Sequence, residues 1–152
     1  MIIIGHKAIP HQAFTKITNI ADIQNTHPSC IVWFDTGKLT QEQGFALGKH
    51  CLDNQVSYAV MIHSLEELLI YANLSAHYLI LHKNLQNQAQ SFQSIIEHYL
   101  LDCKLLCVIK ADSQLTKIAQ LGIDGVIFKQ VLDNIPSPYL HNSSNIERCP
   151  SG

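Results

Sequence analysis

Residues 105–129 read LLCVIKADSQLTKIAQLGIDGVIFK, and this stretch decides the fold. An apolar run over 104–109 stops at Lys110. Asp112 then stands where a helix cap is wanted, Leu115, Ile118 and Ala119 follow at helical spacing, and Gly122 supplies a left-handed stop. A second apolar run, 124–128, stops at Lys129. Strand, helix and strand in this order, with strands that are continuously apolar instead of alternating, predict a parallel crossover unit covered by helices.

The same grammar extends toward the N-terminus. Further apolar strands are expected over 1–5, 30–35, 56–62 and 77–81, stopping at His6, Asp35, His63 and His82. Thr40 with Gln43 and Ser64 with Glu67 have the spacing of capping boxes. Phe45, Gly48 and Leu52 share one helix face, and Leu65, Leu68, Leu69 and Ala72 form the next apolar stripe. A short helix is expected over 19–26, capped by Asn19 with Ile20 and Ile23 inward, and the longest over 86–101. Residues 6–18, with Pro10, read as loop. The expected architecture is one three-layer α/β domain over 1–135 with a mostly parallel sheet of five or six strands, of flavodoxin or receiver type; a half (β/α) barrel is the alternative. The polar, proline-containing stretch 136–152 is expected to be a flexible tail.

Composition narrows the function classes. Of the 152 residues, 47% are hydrophobic and only 14% charged, with a net charge of −2, so little repulsion opposes self-association. Arg148 is the single arginine and the nine lysines form no run, which argues against nucleic-acid binding. The opening MIIIGHK is too short an apolar stretch for a signal peptide, and no run approaches the roughly 18–20 residues of a membrane span. A cytoplasmic protein is expected, with its five cysteines as free thiols that mostly behave as small buried hydrophobes.

If the strands are parallel, the residues that stop them gather on one rim, the carboxyl ends, where open α/β sheets place ligands. The candidate ligand-binding residues are therefore His6, Asp35, His63, His82, Lys110 and Lys129. Histidines and a carboxylate can move protons or hold a divalent metal, and lysines can hold an anion as point charges. No glycine-rich phosphate loop and no hydrolase or metalloprotease signature is present.

Two local resemblances accompany this reading. Residues 105–129 resemble the fourth-to-fifth-strand segment of response-regulator receiver domains, in which Lys129 matches the lysine closing the last strand and Asp35 stands for a first-strand acid. His82 occupies the place of the phosphoacceptor aspartate, so the resemblance does not carry phosphoacceptor chemistry. The same residues, with the opening IIIGHK, also look like units of phosphate-handling (β/α) barrels such as the glycerophosphodiester phosphodiesterases, although Lys7 stands where that family has arginine and its Glu and second His-Asp motifs are missing. The expectation from the residues is a non-catalytic ligand-binding or protein-interaction module, taking a small anion or a protein partner at the rim. The alternative is a small hydrolase or phosphate-handling enzyme using rim His and Asp, with or without a divalent metal. No cofactor is indicated.

Overall fold

The computed structural model describes residues 1–133; the expected flexible tail, 136–152, lies outside the described residues. The strands are β1 (Ile2–Ile4), β2 (Phe14–Lys16), β3 (Ile31–Asp35), β4 (Tyr58–Ile62), β5 (Tyr78–Leu81), β6 (Lys104–Ile109) and β7 (Gly125–Phe128). The helices are α1 (Ile20–Gln24), α2 (Gln41–Asp53), α3 (Leu65–Asn73), α4 (Ala89–His98), α5 (Leu115–Gln120) and α6 (Lys129–Asp133). Every strand pairing is parallel, in the order β1-β7-β6-β5-β4-β3-β2. The α/β class and the single parallel sheet are as the sequence predicts. The sheet has seven strands instead of five or six, and it is open and curled, a half-barrel.

The curl is visible in one contact. The rings of Phe14 on β2 and Tyr78 on β5 lie 6.1 Å apart, although β5 is three places from β2 in the sheet. In a flat sheet that interval is about 14 Å, three strand spacings. Alternate residues therefore divide into two cores. Val32, Phe34, Val60, Ile62, Leu79, Leu81, Leu105 and Cys107 face outward, against Leu47, Leu68, Tyr71, Phe92 and Ile96 of the helices. Ile4, Phe14, Ile31, Trp33, Ala59, Ile80, Leu106 and Ile127 line the concave side.

The strand the sequence reading missed is β2, inside the expected loop 6–18. It has three residues and, among the described residues, one partner, β3, so it offers too short an alternation to read. Its place matters, because α6 packs against both β7 and β2 and so bridges the two ends of the open sheet. Val131 and Leu132 of α6 join the inner core. Gly5, with φ +103°, lets the chain turn beneath α6, since a Cβ there would lie 2.5 Å from Val131 Cγ2.

Several helix faces are rotated from expectation. In α2 the buried row is Gly44, Leu47, Gly48 and Cys51, and Leu52 is exposed. The glycines admit the rings of Tyr71 and Tyr58, which pulls the contact face around. In α3 Leu68 and Tyr71 are buried while Leu65 and Leu69 are exposed, and in α1 Ile23 is buried while Ile20 is not. Of the helix expected over 86–101, residues 86–88 belong to a tighter 3₁₀ turn, Lys83–Gln88, and α4 itself runs from Ala89 to His98, leaving Tyr99 and Leu100 exposed. Cys51, Cys103 and Cys107 are free and buried; Cys30 is disulfide-bonded, so the free-thiol expectation does not hold there. Among the described residues no helix is long and apolar enough to cross a membrane.

Candidate functional site

Three of the six predicted rim residues meet. Asp35 ends the inward row Ile31, Trp33 on β3; His63 follows Ala59 and Met61 on β4; His82 follows Tyr78 and Ile80 on β5. These strands are neighbours in the sheet, so the three side chains crown the concave core at its carboxyl end. His63 Nε2 lies 2.7 Å from Asp35 Oδ1, and the His63 and His82 rings stack with centroids 4.4 Å apart and planes tilted by 30°.

The loop after β3 builds the first half of the site. Residues 36–38 form a 3₁₀ turn for which Asp35 is the cap, its Oδ1 accepting the Gly37 N–H at 2.9 Å. Gly37 also makes room for the imidazole: a Cβ there would stand 2.8 Å from His63 Nε2.

Glu67 holds the second half, and the sequence reading misjudged it. Ser64 Oγ does accept the Glu67 N–H, but Glu67 does not complete the capping box. Its Oε1 accepts the His63 backbone N–H at 2.6 Å and the Thr36 hydroxyl at 2.8 Å. One carboxylate thus ties the ends of β3 and β4 together under the His63–Asp35 pair. The signal was present in the spacing His63-Ser64-x-x-Glu67, but a capping box accounts for the same letters. By contrast, the box at Thr40 and Gln43 forms in full.

His82 caps the turn that follows β5. Its Nδ1 accepts the Asn84 N–H at 3.2 Å, so the neutral ring carries its proton on Nε2. Burial lowers its pKa below the ordinary imidazole value, His63 lowers it further, Asp35 opposes, and Lys83 and Lys38 add to the lowering. The folded protein therefore binds fewer protons at His82 than the unfolded chain just below pH ~6.5, and stability contributed by this group falls as pH falls through that window. Between pH 7.0 and 5.5 the wild-type thermal midpoint is expected to drop more than that of His82→Asn, whose amide oxygen can keep the turn cap. Equal drops in the two proteins would remove this account.

The other three predicted residues stand apart from this cluster. His6 Nδ1 accepts the Ala8 N–H and its Nε2 lies 3.0 Å from Asp112 Oδ2, so both ring nitrogens are committed to a clasp across the end of β7. Asp112 is consequently a partner of His6 and not the helix cap expected of it; Gln114 instead accepts the N–H groups of Lys110 and Ala111. Lys129 pairs with Asp133 one helical turn on. Lys110 is exposed, with no ion pair among the described residues. Lys16, absent from the prediction because β2 was missed, places its ammonium 5.2 Å from the Trp33 ring centroid.

Among the described residues no group of three or more His, Cys, Asp or Glu side chains is placed to hold a metal ion. Burial pushes the thiol of Cys51 up to about 12 and those of Cys103 and Cys107 to about 11, which keeps them protonated and inert as nucleophiles. Away from the rim, Phe45, Lys49, Leu69, Ile70, Asn73 and Leu74 line a shallow apolar depression of about 530 Å³ between α2 and α3. The chain matches no family model and no curated protein.

Proposed function

We propose that this protein is a ligand-binding module whose site is the Asp35, His63 and His82 cluster at the carboxyl rim of the half-barrel. The observation that carries the reading is the contact of these three side chains at the head of the concave core, with Asp35 buried and both imidazoles reachable from solvent. Lys38 and Lys83 flank the cluster, and a small anion is the ligand class that this set of donors favours. A cytoplasmic setting belongs to the same proposal. Titration of histidine-labelled protein with acetate and with inorganic phosphate tests it by NMR. Saturable shifts of the His63 and His82 ring signals, below about 10 mM ligand and lost in His82→Ala, are expected. Unmoved ring signals with both anions and with their hydroxylated counterparts would refute the reading.

One observation favours a catalytic alternative. A buried carboxylate on imidazole Nε2 orients the ring and leaves Nδ1 as a base, the arrangement used in general acid–base hydrolysis. Turnover of a phosphoester or acyl ester that disappears in His63→Ala would decide for it.

A further inference from the structure

The Asp35 carboxylate is only half used. Its residue is 9% exposed. Both contacts it makes, to the Gly37 N–H and to His63, fall on Oδ1. Oδ2 has no hydrogen-bond partner among the described residues. A carboxylate offers roughly four acceptor positions, and a buried acceptor without a donor is costly to maintain. Asp35 continues the inward row of β3, so this oxygen belongs to the mouth of the concavity and not to the helix-covered face.

What surrounds Oδ2 restricts the donor that can serve it. His63 and His82 stand beside Asp35 on the next two strands. Lys38 closes the turn that Asp35 caps, and Lys83 follows His82 directly. An ammonium group arriving here would meet two like charges and two imidazoles. A neutral hydroxyl would not. The His82 Nε2–H and the two lysines, which form no ion pair among the described residues, suit an anionic group on the same ligand.

We propose that the site recognises a small hydroxylated anion, its hydroxyl donating to Asp35 Oδ2 and its anionic group facing His82, Lys38 and Lys83. The inference rests on the rim being a ligand site. It adds that Asp35 selects for a hydroxyl near the negative charge. Carboxylate and phosphate share this chemistry, and matched pairs of probes separate them: glycolate against acetate, and ribose 5-phosphate against inorganic phosphate.

The test is NMR titration of the full chain with each probe, read at the His63 and His82 rings. In at least one pair the hydroxylated member is expected to bind about tenfold tighter or more, the return on one charge-assisted hydrogen bond. The pair that discriminates identifies the anionic group. In Asp35→Asn the preference within the discriminating pair should shrink to about twofold or less, whatever the change in overall affinity, since the charged acceptor for the hydroxyl has gone. Equal affinity within both pairs in the wild-type protein would overturn the hydroxyl assignment and leave the anion site standing. Silence of all four probes would overturn both. The wild-type comparison decides the matter even if Asp35→Asn does not fold.

Discussion

Gly125→Ala is expected to lower the thermal midpoint by about 10 °C, the equivalent of roughly 3 kcal/mol in a domain of this size. Gly125 pairs in register with Ile2 across the β1–β7 ladder. A Cβ at this position would stand 2.5 Å from the Ile2 carbonyl oxygen, 2.7 Å from Ile2 Cβ and 2.9 Å from Leu106 Cδ2. The first two atoms are held by the backbone, so relief requires β1 to move away from β7. Among the described residues β1 pairs with β7 alone, so no second ladder there holds it. Its displacement would disturb Ile4 in the inner core and the Gly5 turn beneath α6. Hydrogen exchange should show the loss of protection first in β1 and β7, with β4 and β5 protected to near the global limit. A midpoint within about 2 °C of wild type would show that the seam yields freely, contrary to this account.

The legibility of this fold follows the length of its ladders. Strands β3 to β7 are apolar runs paired along several residues, and a sheet covered on one face by helices and closed over itself on the other leaves the same trace as a sheet between two helical layers. Continuous burial cannot separate the two. The curl depends on which strands pair, and in particular on β1 lying beside β7 instead of β2, a contact between opposite ends of the sequence with no local signature. Short β2 was unreadable for the complementary reason, that one ladder and one inward aromatic residue, Phe14, suffice to hold it.

The site shows the same division. Asp35, His63 and His82 were legible as strand stops because strand ends on neighbouring parallel strands must come together. Their partners were not. Glu67, Thr36 and Gly37 act through turn geometry, and a helix cap explains Glu67 equally well from the letters alone. His6, Lys110 and Lys129 obey the same strand-stop rule yet stand apart, because their strands occupy the other half of the sheet, where Asp112 and Asp133 engage His6 and Lys129.

Gly37→Ala separates the site from the fold. The added Cβ would lie 2.8 Å from His63 Nε2, 2.9 Å from His63 Cε1 and 3.2 Å from Asp35 Oδ1. Unlike the clash at Gly125, the nearest obstacle is the end of a side chain that is part-exposed and can rotate. The cost to folding is therefore expected to stay below about 1 kcal/mol, since no strand has to move. The cost to the site is expected to be large. His63 leaves Asp35, loses its orienting contact, and breaks its stack on His82, so affinity for the proposed rim anion should fall about tenfold or more. In the NMR titration both ring signals should shift in the unliganded variant, with the amides of β3 and β4 in place. Unchanged ring signals would mean that His63 tolerates the methyl group and that Gly37 does not shape the site. A loss of stability as great as that of Gly125→Ala would mean that the turn after β3 serves the fold first, and the case for a site assembled around His63 would lose one of its supports.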